Sequence, residues 1–463
     1  MSAGVKDPSA YFRAFISGAW LLLGAIGLNS WLFGVAYTPL GAVAQGVLAI
    51  LSSWAMPRPK VRYILSPLWL CFLFWLLYGN VIYVYEYVFD SGFGFLGDRS
   101  FLAGGAYLSL VSSSIFGALA TLLCGRYSLL VRRELVGTHA CGDFRGLMIA
   151  ATALAACMYY WSIVLDAGVL SAMGEMSRLD VTQALETGKL WLVQYLFVGL
   201  SMAAVLMFSV GVRLRVYVLV PILLAMLAFW GGELLVGNRR GFVSLMIFCV
   251  VLYAAMGRIS LFARGLVVGL LAFLVFIGVA RQGGEYSDAS IVVLNGIGEF
   301  YFPHVTFLGA LANDAEYKFG ATIFAWWFDF VAAKVGSEPY LFLSQQFSES
   351  MADGAGGAVI GYAYMPLTEA YLNFGVIGAL LAPVMVIMSY EFIRRFAGAG
   401  RGVLLLVLSA MGMDINRGEF SAIFLQYGII VFALMSVLAL SGCVPFVLRA
   451  VGVCSQFSRR RGV

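Results

Sequence analysis

Twelve apolar stretches follow one another along this chain, and its basic residues gather in alternate gaps between them. The stretches run at about 14–34, 38–56, 64–86, 102–124, 146–168, 190–211, 216–235, 241–256, 265–280, 367–393, 402–413 and 420–447. Most approach the roughly 20 residues that a helix needs to cross a bilayer. Inside a bilayer such a segment can satisfy its backbone only as a helix or in a closed barrel. The expected fold is therefore an all-α polytopic membrane protein with about 12 transmembrane helices. Placing Met1 on the cytoplasmic side puts Arg58, Lys60, Arg62, Arg126, Arg132, Arg133, Arg145, Arg213, Arg215, Arg258, Arg264, Arg394, Arg395, Arg401 and the run Arg459–Arg461 on that side. This is the bias that orients helical membrane proteins, and it leaves both termini cytoplasmic.

Composition closes off the soluble alternatives. Hydrophobic residues make up 62% of the chain and charged residues 11%, with a mean hydropathy of +0.92. The net charge of +5 reflects topology rather than nucleic-acid binding. All seven cysteines fall in spans or on the inner side, so no disulfide framework is expected. His139 and His304 lie on opposite sides and cannot share a metal, and no metal or cofactor site is expected. The first stretch is read as a retained span, because it lacks a small-residue cleavage site. No Walker motif, nucleotide fingerprint or DxD-like motif stands in an aqueous loop, which argues against a cytoplasmic nucleotide-sugar transferase.

The chain divides into three parts. Residues 1–281 carry the first nine spans, 282–366 form a large outer loop, and 367–463 carry the last three spans and a cytoplasmic tail. The loop is roughly 85 residues long, with nine Asp and Glu against two Lys. Loops of that length are uncommon without a function. Its aromatic segment 322–334 suits a helix lying at the membrane surface.

Nine basic residues break the inside rule: Arg99, Arg178, Lys189, Arg239, Arg240, Arg281, Lys318, Lys334 and Arg417. An arginine kept near the apolar core costs about 2.5–3.5 kcal/mol on insertion scales and marks a candidate site. Gly237-Asn238-Arg239-Arg240-Gly241 opens the eighth stretch, where free helix N–H groups and two guanidiniums suit an anion. Both arginines could instead snorkel to lipid phosphates. Arg281 ends the ninth stretch and could clamp a second phosphate or a sugar. In Tyr364-Met-Pro-Leu-Thr-Glu369-Ala-Tyr-Leu-Asn373-Phe374-Gly375, Pro366 fits a first helical turn. Glu369 and Asn373 then share one face, four residues apart. The carboxylate suits a general base, an arginine partner, or simply a charge that stabilises the helix start. Asp414-Ile-Asn-Arg417-Gly-Glu419 joins the last two stretches, where Arg417 could pair with Glu369, Glu419 or a phosphate. His304, in the outer loop, is a second candidate base or a structural histidine.

These segments resemble the Wzy-type O-antigen polymerases, integral enzymes of the bacterial inner membrane. The resemblance rests on the run Glu369 to Gly375 opening a late span, the Gly-Asn-Arg-Arg-Gly segment, the arginine after the ninth stretch and the large outer loop. Paired outer-loop motifs of arginine, ten residues and glycine, described for some members, are not matched: Arg178 and Gly188 have nine residues between them, and Val292 stands where Arg281 would need glycine. The resemblance implies a GT-C-like bundle with its active site facing the periplasm. A glycan on undecaprenyl pyrophosphate would be joined to a lipid-linked repeat unit, the acceptor hydroxyl attacking the anomeric carbon as undecaprenyl pyrophosphate leaves. Chain-length regulator and flippase partners are implied by the resemblance alone. From the residues, Arg239, Arg240, Arg281 and Arg417 could meet the pyrophosphate, with Asn238, Asn373 and Tyr364 beside the substrate, and Glu369 ahead of His304 as base. The rivals are an O-antigen ligase, with lipid A–core as acceptor, and a transporter of lipid-linked glycans.

Overall fold

The computed structural model describes residues 8–56, 63, 65–89, 100–131, 143–166, 190–212, 214–235, 240–256, 300, 303–312, 317–324 and 364–453. Within them the first eight apolar stretches are helices: α1 (Pro8–Leu32), α2 (Leu40–Ala55), α3 (Pro67–Phe89), α4 (Ser100–Leu123), α5 (Asp143–Asp166), α6 (Leu190–Ser209), α7 (Val216–Leu235) and α8 (Arg240–Ala255). The ninth stretch lies outside the described residues. A short apolar helix, α9 (Pro303–Ala312), lies within the expected outer loop. The last stretches form α10 (Pro366–Phe396), α11 (Arg401–Ala410), α12 (Gly412–Ile415), α13 (Phe420–Leu440) and α14 (Val444–Ala450). Eight of the described helices are long and apolar enough to cross a membrane. Leu22, Met158, Phe208, Leu227, Ile377 and Phe432 point outward from six of them, an apolar exterior that suits lipid and not water.

Two stretches end differently from expectation. The last span stops at Leu440, short of 447: Gly442 takes φ +72, and the Cys443 amide bonds back to the Leu438 carbonyl at 2.9 Å. This is a left-handed glycine ending a helix, and Pro445 then suits the first turn of α14. The stretch 402–413 is a ten-residue helix followed by a separate single turn, α12. Alone it is too short to span. It is instead almost wholly buried, packed against α3, α8, α10 and α13 at the centre of the bundle.

Around that centre, α4 packs against α1, α3 and α10, while α6 packs against α13, α8 and α5, with α7 outside α5. At the end assigned to the cytoplasm, β1 (Leu129–Val131) pairs antiparallel with β2 (Val451–Val453), Leu129 opposite Val453. Close by in sequence, Tyr127 donates to Glu391 at 3.0 Å, and Glu391 pairs with Arg394 and Arg395. The opposite ends of α6, α7, α8, α10 and α13 gather at the other side, which holds the candidate residues.

Candidate functional site

Arg240 is the first residue of α8, and the fold sets it against Asp414 on the single turn α12. Its Nε donates to Asp414 Oδ1 in a short ion pair. Ser244, one turn further along α8, donates to Asp414 Oδ2 at 2.9 Å. Arginine and serine four residues apart on one helix face thus hold both carboxylate oxygens. The Asp414 side chain is 6% exposed and that of Arg240 31%, so the pair lies at the rim of the bundle. Arg240 Nη2 has no hydrogen-bond partner among the described residues. The pair lines a cavity of about 30 Å³ with Gln194, Tyr195, Trp230, Glu233 and Ser244. A water needs roughly 10–15 Å³ by such a measure, so the cavity has room for hydroxyl-sized groups. Tyr195 is within electrostatic reach of Arg240, Asp414 and Glu233. Tyr78, on α3, is within reach of Arg417, Asp414 and Arg240. Two guanidiniums, two carboxylates and two phenols therefore share this end of the bundle.

Glu369 and Asn373 form a second, tighter cluster. Glu369 is fully buried in the first turn of α10. Its Oε2 accepts from the Phe420 amide at 2.6 Å, and its Oε1 from the Thr322 hydroxyl at 2.9 Å. Phe420 is the first residue of α13, whose own preceding residue, Glu419, supplies no side-chain cap. Glu369 thus does for α13 what a capping side chain does for its own helix. Asn373 is as fully engaged: Nδ2 donates to Thr322 Oγ1 at 2.6 Å and to the Glu369 carbonyl at 2.7 Å, while Oδ1 accepts from the Gly320 amide at 2.7 Å. Two residues later the helix breaks at Gly375, with φ 63 and ψ −148. The carbonyls of Leu372 and Asn373 then take the amides of Lys318 at 2.9 Å and Phe319 at 3.2 Å. The spacing Glu369-Asn373-Gly375 is therefore a device that docks the segment 317–324 on α10 and α10 on α13. Tyr364 is buried just before α10, and burial, with Glu419 and Glu369 nearby, pushes its phenol above the ordinary range.

His304, expected in the outer loop as a second candidate base or a structural histidine, lies in α9 and is wholly buried. Its Nδ1 meets the Tyr83 hydroxyl at 3.0 Å, and its ring packs edge-on against Tyr83 and Phe307. Nε2 has no partner among the described residues. Burial lowers its pKa to about 3, so the imidazole is neutral near pH 7. The apolar run Val305-Thr-Phe-Leu after it carries the helix into the core, a signal outweighed by the acidity of the surrounding loop.

The structure therefore joins three constellations that are far apart in sequence. The mouth of α8 meets the turn at Asp414, and the run at Glu369 meets both the start of α13 and the segment 317–324. Asn238, Arg239 and Arg281 lie outside the described residues, as does the aromatic segment beyond Phe324. Ser244, Tyr195 and Gln194 were not singled out from sequence, because neutral groups in apolar helices carry no local mark, and Asp414 stood there only as the first residue of the segment that carries Arg417. Glu233 had one: a carboxylate in the last turn of an otherwise uncharged helix. Among the described residues, no group of three His, Cys, Asp or Glu could hold a metal ion. No protein-family model, curated protein or solved structure matches this chain.

Proposed function

We propose that this protein is a membrane-embedded glycosyltransferase that polymerises surface-polysaccharide repeat units carried on undecaprenyl pyrophosphate, working at the outer face of the bacterial inner membrane. The acceptor sugar hydroxyl attacks the anomeric carbon of the donor glycan, and undecaprenyl pyrophosphate leaves. The observation that carries the reading is the meeting of Arg240 and Arg417 with Asp414, Tyr78 and Tyr195 at one end of an apolar bundle. Guanidiniums at a membrane edge are costly to insert, and a departing pyrophosphate is the charge they would stabilise. Asp414 occupies one edge of the Arg240 guanidinium and leaves Nη2 for another acceptor. Glu369, Asn373 and Thr322 hold the frame around this mouth, because their polar atoms are committed to one another and to α13.

Glycan-ladder complementation tests the reading. A strain lacking the protein is expected to carry single repeats on its acceptor, and the wild-type gene to restore a ladder that Arg240→Ala does not. Long glycan left on the lipid carrier would make the protein a ligase. Repeat units trapped on the inner leaflet would make it a transporter.

A further inference from the structure

We propose that the segment 317–324 is seated in the bilayer, at the boundary of acyl chains and headgroups around the first turns of α10, with phospholipid as its partner. The inference rests on the membrane-spanning fold and not on the polymerase reading. α10 is long and apolar enough to cross a membrane. From its start to Phe392 the residues it exposes are Phe374, Ile377, Leu381, Met388 and Phe392. They recur every three, four or seven residues, one stripe of a helix, and this stripe is its lipid face. Arg394 and Arg395 pair with Glu391 where the stripe nears its end and mark one surface of the membrane. Phe374 lies twenty residues before Arg394. Twenty helical residues rise by up to about 30 Å, which is about the thickness of the hydrocarbon core. Phe374 therefore stands near the opposite edge of that core.

The segment is held at this depth. Lys318 and Phe319 bond through their amides to the Leu372 and Asn373 carbonyls, and a Cβ at Gly320 would stand 3.5 Å from the Phe374 ring. Irregular backbone is tolerated near the hydrocarbon only where the protein itself satisfies its polar groups. Here the amides of Lys318, Phe319, Ala321 and Ile323 bond to backbone carbonyls, and that of Gly320 bonds to Asn373 Oδ1. The one hydroxyl among its polar side chains that faces inward, Thr322, is buried against Glu369 and Asn373. The side chains turned outward are Tyr317, Phe319, Ala321 and Phe324, and they continue the stripe that begins at Phe374. Phe319 is 82% exposed at φ 46, a left-handed conformation that is costly for any residue with a Cβ. A large apolar ring held out of the protein gains from acyl chains what water cannot give it, and Tyr317 suits the headgroup level. Thr322 joins this segment to Glu369, and Glu369 caps α13, so the grip of the leaflet bears on the frame around the bundle mouth.

The test reads the surroundings of position 319 in full-length protein reconstituted into phosphatidylcholine vesicles. Phe319→Cys carries a nitrobenzoxadiazole label, wild type treated in the same way supplies the blank for the native cysteines, and Ile377→Cys supplies the reference for a lipid-facing site. Phosphatidylcholine with a nitroxide near the carbonyl end of its acyl chain is expected to quench the label at 319 at least as strongly as the label at 377. Iodide, present on both sides of the membrane, is expected to quench it several-fold less than it quenches the dye free in buffer. Phe324→Cys is expected to behave in the same way, and it decides if Phe319→Cys does not yield monodisperse protein. Iodide quenching equal to that of the free dye would place the turn in water and overturn the inference. A label that the nitroxide lipid leaves bright is covered by protein, either another part of this chain or a second copy, and that result overturns it too. Loss of the glycan ladder bears on the polymerase reading alone.

Discussion

Replacing Glu369 by glutamine separates a tie from a base. In the native protein the carboxylate accepts from the Phe420 amide and from the Thr322 hydroxyl. A glutamine offers one oxygen for these two donors. If that oxygen keeps Phe420, the new amide N–H₂ faces Thr322 Oγ1, which already accepts from Asn373, and the threonine proton loses its acceptor. If it keeps Thr322, the first amide of α13 is left uncapped in the interior. Either arrangement leaves one buried donor unsatisfied, about 1–3 kcal/mol. Alanine loses both acceptors, and its cost is roughly twice as large. A kcal/mol moves Tm by about 2–4 °C in chains of 150–250 residues, and less in longer ones. Glu369→Gln is therefore expected to melt a few degrees below wild type in detergent, followed by tryptophan fluorescence, and Glu369→Ala further below. Thr322→Val is expected to lower Tm as well, since it also removes a partner of Asn373. Glu369→Gln with an unchanged Tm and a lost glycan ladder would refute this reasoning and return the carboxylate to chemistry.

Three more outcomes follow from the same geometry. Asp414→Asn leaves Arg240 partly buried with a weaker partner and is expected to destabilise by about 1–3 kcal/mol. The double variant Arg240→Met with Asp414→Leu should lose less than the two single changes combined, a coupling that a double-mutant thermal cycle reads directly. His304 is neutral when folded down to pH about 3, whereas an unfolded imidazole titrates near 6.5. The unfolded state thus binds more protons between these values, so stability present above pH 6.5 is lost as pH falls, by about 2 kcal/mol at pH 5. His304→Gln should flatten that slope in melts compared at pH 7.5 and 5.0. At Gly375, φ 63 and a Cβ position 2.9 Å from the Tyr317 hydroxyl make Gly375→Ala cost about 1–2 kcal/mol from backbone strain alone. Its melting point should drop accordingly, and Tyr317→Phe should not restore it, because the strain lies in the backbone.

The helices themselves were legible because a run of apolar residues has few other ways to satisfy its backbone in lipid. The start of α10 was legible too, since Pro366 and Glu369 both favour a first helical turn. What Glu369 does there was not, because its partner Phe420 lies on another helix and contributes only a backbone N–H. The Arg240–Asp414 pair shows the same limit: each residue marks a helix mouth, but only packing across α3, α6, α8 and α12 makes them neighbours. The burial of His304 was not legible because the segment was read by the charge of 282–366 as a whole, and a ten-residue, largely apolar helix vanishes in that average. The break at Gly442 escaped because a glycine inside an apolar run reads equally as a helix-packing site.

The small ribbon of β1 and β2 has a temporal meaning. Every described membrane-spanning helix precedes β2 in the chain, yet β2 pairs with β1, which follows directly after α4, and it packs against the central α11. Helices delivered to the bilayer one after another can therefore assemble pairwise from the start, while this clasp forms only when synthesis is well past α13. The ribbon acts as a completion mark: a chain cut short before Val451 would insert its helices and still lack the strand that fastens the loop after α4 to the middle of the bundle.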